Sequence, residues 1–254
     1  MTQRPIVVLC AMDSEYKSLA ARLKNATVQT VGNLHITSGT VRCYPVTVVR
    51  TLIGTVNVTT AATYFIATQK PVCVILQGTA GAHNPELSQG DIVLGKENVE
   101  FNSCFVPHRD EGQGVDPFAW RHVGVQVLED GKATRMQRFA SDPHLLSVAK
   151  KTPYAHGRVF EGVVLSADVW NREIDRIHYI RNTFHTDCEE MEGAAVGQVC
   201  RHFSVPFLNI RVISNSELHE GETFDPKTAE YGQEFCYDVV SRLVENGCFA
   251  TEKN

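Results

Sequence analysis

The 254-residue sequence lacks an excess of positive charge: 24 Lys and Arg stand against 29 Asp and Glu, a net charge of −5 with the ten histidines neutral. A phosphate backbone needs a basic face, so nucleic acid is not an expected partner. Long apolar runs are missing too. Ile6 to Met12, behind Met-Thr-Gln-Arg-Pro, is too short to cross a bilayer and carries no cleavage signature, so no membrane partner and a soluble, cytoplasmic protein are expected. The eight cysteines (Cys10, Cys43, Cys73, Cys104, Cys188, Cys200, Cys236 and Cys248) form no C-x-x-C pair and no Cys/His cluster at zinc spacing. Buried reduced thiols are therefore expected rather than disulfides or metal ligands, with no metal and no cofactor. The G-x-x-x-x-G-K-[ST] and G-x-G-x-x-G patterns are absent, and no linker or internal repeat divides the chain.

What is present is a globular core and an alternation of elements. The 43% hydrophobic content is ample for one large domain over residues 1–254. Ile6 to Cys10 reads as a buried strand, with Asp13 as the cap of a helix that includes Leu19 and Leu23. Residues 34 to 53 read as a meander of short strands, and Gly54 leads into a helical run through Ala61, Ala62 and Phe65. Val72 to Leu76 is an apolar strand that Gln77-Gly78-Thr79-Ala80-Gly81-Ala82 should stop, a glycine-rich turn of the kind that lets backbone approach a ligand. Gly90-Asp91 followed by Ile92 to Leu94 reads as a turn and strand, with Asp91 in turn chemistry. Asp142-Pro143 opens a helix, Arg158 to Leu165 is β-rich, and Thr228 to Val244 is a helix with Tyr231, Phe235, Val239 and Leu243 on one face. The expected fold is α/β: a single three-layer αβα domain with a central mixed, mostly parallel sheet.

The stretch from Asp187 to Asn215 is the main site candidate. Glu189, Glu190, Met191 and Glu192 open it, a small-residue helical run follows, and an apolar strand closes it at Ser214-Asn215. Helix and strand can fold back to place acids and an amide at one rim of a sheet, where open α/β folds bind ligands. Glu15 lies in a helical first turn, where a surface acid is the bland reading by about two to one. Trp170, one of two tryptophans, follows a strand end, and residue type favours a core role over a stacking wall. Residues 102 to 122 are long and aperiodic, the signature of a flap or an oligomer contact.

Four segments in order resemble the 5′-methylthioadenosine/S-adenosylhomocysteine nucleosidases, of the nucleoside phosphorylase-type superfamily. I-V-V-L-C-A-M-D-S-E-Y is similar to their opening strand and A-M-x-x-E motif. V-I-L-Q-G-T-A-G-A…G-D-I-V is similar to T-G-S-A-G-G…G-D-I-V, and V-V-L-S-A-D-V-W-N to S-G-D-x-F-I. E-M-E-G-A-A-V-G-Q-V-C…V-P-F-L-N-I-R-V-I-S-N is similar to E-M-E-A-x-A-I-A-x-V-C…V-P-F-x-x-x-R-A-I-S-D. Position by position, the resemblance implies that Glu15 binds the attacking water and that Glu192 accepts the ribose 2′- and 3′-hydroxyls. It places Met191 under the sugar, Met12 and Phe224 near the 5′ substituent, and Trp170 against the base, with Asn171 beside it. Gly78, Thr79, Ala80 and Ser214 fall in the substrate-binding motifs. Glu190 reads as a helix N-terminal acid or a helper, and Asp168 as a loop-fixing acid. A homodimer whose partner chain closes the 5′ end is also implied.

Two features set the reaction class and the base. A phosphorylase must hold a phosphate dianion, which calls for arginine and backbone amides. No arginine precedes the glycine segment, Glu15 would repel phosphate, and Arg50 is the one basic candidate nearby, so water is the better nucleophile. The family's purine acid is an aspartate, whereas this chain carries Asn215. An amide has no proton to give a leaving adenine but suits a 6-oxopurine, donating to O6. Hydrolysis of 5′-methylthioadenosine or S-adenosylhomocysteine is the leading expectation. The alternatives are an inosine- or futalosine-type nucleoside hydrolase, a purine nucleoside phosphorylase, and a weakly active nucleoside-binding or storage protein on the same fold.

Overall fold

A computed structural model describes residues 3–247 and 249; Cys248 lies outside the described residues. The strands are β1 (Ile6–Cys10), β2 (Lys24–Val31), β3 (Leu34–Val41), β4 (Tyr44–Arg50), β5 (Cys73–Ala82), β6 (Ile92–Glu100) and β7 (Cys104–Phe105). They continue as β8 (Arg121–His122), β9 (Val125–Glu129), β10 (Lys132–Met136), β11 (Arg138–Ala140), β12 (Val159–Ser166), β13 (Cys188–Glu190) and β14 (Phe207–Ser216). The α-helices are α1 (Asp13–Ala21), α2 (Thr55–Gln69), α3 (Pro143–Lys150), α4 (Ile174–Phe184), α5 (Gly193–His202) and α6 (Thr228–Glu245).

The large sheet runs β11-β6-β12-β13-β5-β1-β4-β3-β2, and β14 pairs with both β5 and β6. Strands β5, β14, β6, β12 and β13 therefore close on one another, which accounts for β14 being buried along its whole length. The sheet is mixed, with parallel pairing at its centre between β1 and β4, β1 and β5, and β5 and β14. Its two faces are separated by alternation along β1. Ile6, Val8 and Cys10 join α1, α3 and α6 in one apolar cluster. Val7 and Leu9 join α2 and α5 in another. Opposite side chains of a fully buried strand feed opposite layers, which gives the expected αβα stack.

The expected elements appear at β1, β3, β4, α2, α3, β12, α5, β14 and α6, and Phe235, Val239 and Leu243 of the α6 stripe are buried, with Tyr231 packed beside them. Asp91 accepts hydrogen bonds from the Ser88 and Arg158 amides, as turn chemistry requires. Three expectations are corrected. Gln77 to Ala82 does not stop the strand: β5 runs on to Ala82, because β14 pairs with it along that whole stretch. The N-cap of α1 is Met12, and Asp13 instead pairs with Lys17 and Arg50 at the surface. Among the cysteines, Cys43 is exposed and Cys104 half-buried, whereas Cys10, Cys73, Cys188, Cys200 and Cys236 are buried and reduced. Among the described residues no helix is long and apolar enough to cross a membrane, and no cluster of His, Cys, Asp or Glu could hold a metal ion.

Candidate active site

The β1–α1 junction buries a carboxylate. Met12 is extended at the helix entrance, so Glu15, in the first turn, bends back under the chain. Its Oε2 accepts from the Ala11 and Met12 amides at 3.0 Å each, and its Oε1 accepts from the Thr79 amide at 2.7 Å and the Thr79 hydroxyl at 3.0 Å. Glu15 is 2% exposed, which overturns the surface-acid reading: this carboxylate ties α1 to β5, held by the β1–α1 junction and by Thr79 of β5.

Arg211, midway along β14, is 1% exposed and sits among three carboxylates. It forms an ion pair with Glu190, approaches Glu192 at 3.5 Å, and donates from Nε to Asn209 Oδ1 at 2.8 Å. Burial alone would lower its pKa, but Glu190, Glu192 and Glu15 outweigh that and hold it above the ordinary guanidinium value. Gly78 makes the crowding possible: a Cβ there would stand 2.7 Å from Arg211 Nη1 and 2.8 Å from Glu15 Oε1.

The β13–α5 turn holds the other acids. Glu190 accepts from the Glu192 and Gly193 amides and from the Ser166 hydroxyl, so it serves the N-terminus of α5 as well as Arg211. Glu192 Oε1 accepts from the Gly54 amide at 2.8 Å. Gly54, at φ +100°, precedes α2 in a conformation that side chains resist, and Asp168 holds the same turn by accepting from the Thr55 amide at 2.8 Å. Burial first, then Glu190 and Glu15, push the Glu192 carboxyl up to about 8 against the opposing pull of Arg211 and the Gly54 amide.

These groups converge on one cavity of about 200 Å³. Of the expected site residues, Met12, Glu15, Thr79, Ala80, Trp170, Glu190, Met191, Glu192, Ser214, Asn215 and Phe224 line it. Gly78 and Asn171 do not: Gly78 lies behind Glu15, and buried Asn171 faces Glu189, donating its backbone N–H to that carboxylate at 3.1 Å. Trp170 is 66% exposed and meets Phe224 edge-on at 5.8 Å, so it is a wall of the mouth and not core. Arg211, Glu189, Ile53 and Val169 also line the cavity, and sequence reasoning gave none of them a role. The R-V-I-S-N run carried the signal for Arg211, since a charge inside an otherwise apolar strand must find buried partners. Arg50 is paired with Asp13 outside this wall.

The Phosphorylase superfamily matches this chain over residues 5–245. The 5′-methylthioadenosine/S-adenosylhomocysteine nucleosidase of Anoxybacillus flavithermus is 32% identical over 246 residues, covering 94% of this chain and 98% of that one. The enzyme of the same name from Bacillus thuringiensis is 30% identical over 245 residues, covering 94% and 99%. Among solved structures, the Neisseria meningitidis nucleosidase in complex with methylthio-immucillin-A matches with a TM-score of 0.77 at 24% identity, covering 94% of this chain and 99% of that one. The futalosine hydrolase of Helicobacter pylori matches with a TM-score of 0.76 at 23% identity, covering 94% and 98%. The chain belongs to the phosphorylase superfamily. Within it, the chain is a member of the 5′-methylthioadenosine/S-adenosylhomocysteine nucleosidase family, and so an N-ribosyl hydrolase of purine nucleosides.

Proposed function

We propose that the chain hydrolyses the N-glycosidic bond of 5′-methylthioadenosine or S-adenosylhomocysteine, releasing free base and the thioribose. The observation that carries this reading is the convergence of Glu15 and Glu192 on one cavity, with both carboxylates fixed by backbone amides before any substrate arrives. Glycosidic cleavage passes through a ribosyl cation, which calls for an activated water on one face of the sugar and for acceptors that grip its hydroxyls. Glu15 orients the water and takes up its proton. Glu192 accepts the 2′- and 3′-hydroxyls, Met191 lies under the sugar, and Met12 and Phe224 offer an apolar seat for a thioether. Trp170 stacks on the base.

Water is the nucleophile because of the charge around it. Arg211 corrects the expectation that Arg50 is the one basic candidate nearby, yet its charge is spent on Glu190, Glu192 and Glu15. The cavity wall holds Glu15, Glu189 and Glu190 against that one cation, a field that repels a phosphate dianion.

One observation favours a second reading, a 6-oxopurine nucleoside. Asn215 lines the cavity and is proposed to read the base, and its Oδ1 accepts from the Ser214 hydroxyl at 3.0 Å, which leaves the amide N–H₂ to donate to a ligand. The enzyme is proposed to work as a homodimer, since Phe105, Val106, Val115 and Phe118 expose an apolar face on the 102–122 segment. Free base is to be followed with methylthioadenosine, S-adenosylhomocysteine, inosine and futalosine, each with and without phosphate. Base released without phosphate supports hydrolysis; no base from any of them, or base only with phosphate, overturns it.

A further inference from the structure

Glu189 is an acid of the cavity wall to which the roles above assign no contact with the substrate. It is oriented from behind. His83, 1% exposed, places Nε2 3.0 Å from Glu189 Oε2, and its Nδ1 lies 2.8 Å from Thr186 Oγ1. With the Thr186 hydroxyl donating to Nδ1, the imidazole N–H at Nε2 donates to the carboxylate. Glu189 Oε1 accepts from the Asn171 amide at 3.1 Å. Each oxygen thus has one fixed donor and keeps acceptor capacity for a ligand. A solvated surface acid has no buried histidine behind it; this one is aimed.

Register sets what Glu189 faces. Glu189 and Asn215 both stand opposite Gly81, one on each side of β5. Because Gly81 has no side chain, the amide lies across it: a Cβ there would stand 3.2 Å from Asn215 Nδ2. Asn215 Oδ1 is taken by Ser214, and among the described residues no protein atom accepts from Nδ2. The wall therefore presents an N–H₂ donor on one side of Gly81 and a carboxylate acceptor on the other. A 6-oxopurine offers the matching pattern, with O6 and N7 as acceptors beside the N1–H donor. Adenine can meet such a wall through N7 and an N6–H, but in the pose that sets N1 on Glu189 it presents an acceptor whose lone pair opposes the carboxylate.

We infer that Glu189, positioned by His83, is a specificity-determining residue that accepts the N1–H of a 6-oxopurine while Asn215 donates to O6. This rests on the purine nucleosidase reading and chooses the second of its two bases. The test compares 5′-methylthioinosine with 5′-methylthioadenosine, which differ only at the base edge. Wild type is expected to favour the inosine analogue in kcat/KM by at least about tenfold, the scale of one well-made hydrogen bond. Glu189→Gln, an isosteric change whose amide also donates, should collapse that ratio. His83→Phe should shift the ratio the same way, and His83→Gln, which keeps an N–H donor, should restore it in part. A merely structural role would lower both substrates alike and leave the ratio in place. Product inhibition of the wild type, expected to be stronger with hypoxanthine than with adenine, repeats the test without any substitution. Cleavage of both nucleosides with adenine preferred and the ratio unmoved by Glu189→Gln overturns this inference alone. Cleavage of neither overturns the nucleosidase reading with it.

Discussion

Arg211 Nη1 stands 3.5 Å from Glu192 Oε2, with both side chains almost wholly out of water. The pair links stability to the proposed function, because the carboxyl proposed to meet the ligand is the one this guanidinium pulls toward ionisation against its burial. Removing one partner of a buried ion pair leaves an uncompensated charge and typically costs about 3–5 kcal/mol. Arg211→Met should destabilise the protein on that scale, measured by urea unfolding at neutral pH. Glu190, Glu192 and Glu15 all lean on the same cation. A loss under about 1 kcal/mol would mean that solvent, not Arg211, balances the acids.

Glu192 also gives the stability a pH slope. Its carboxyl is pushed from an ordinary 4.5 up to about 8 in the fold, chiefly by burial. The folded protein therefore holds a proton that the unfolded chain has released, and this group's contribution to stability is full below about 4.5 and falls as pH rises toward about 8. Glu192→Gln should flatten that decline, so the variant gains on the wild type between pH 5 and pH 8 in paired urea titrations. Parallel curves across that range would contradict the assignment.

Asn215 stands where a base can be read from β14. Asn215→Asp should raise activity on adenine nucleosides relative to hypoxanthine ones, because a carboxylic acid can protonate a leaving adenine and an amide cannot. General acids contribute about 10²–10⁴-fold in favourable cases, so the substrate ratio is expected to move by tenfold or more. An unchanged ratio would show that Asn215 does not touch the base.

The apolar 102–122 face and the cavity meet at Val169, which borders both the nucleoside cavity and a second one lined by Phe101, Phe118, Trp120 and Tyr179. The proposed homodimer would bury that face and complete the mouth beside Trp170. Sedimentation should give twice the chain mass; a fully active monomer would remove the partner chain from the site.

The fold was legible where burial imposes a pattern. The unbroken apolar run of β1, the largely apolar run of β14 and the spaced stripe of α6 announce themselves, and the acids of the A-M-x-x-E and E-M-E motifs led to Glu15 and Glu192. Strand β2 was missed because it is exposed along its whole length, so no alternation marks it. The hairpin of β9 and β10, short and half-exposed, was missed beside it, as was helix α4, which buries only Ile177 and Ile180. The extension of β5 through its glycines depends on β14, more than a hundred residues away in the chain. Glu189 stood in the candidate stretch without a role of its own, because its partner His83 is equally remote in the chain.

Hydrolysis is tested most directly by running the reaction in heavy-oxygen water with phosphate present and weighing the sugar product. With Glu15 holding the nucleophile, the released sugar should carry one heavy oxygen, none should appear as a sugar phosphate, and Glu15→Gln should form no labelled product while still binding the nucleoside. A sugar phosphate without the label, or undiminished labelling in Glu15→Gln, would contradict the assignment of water as nucleophile and Glu15 as its base.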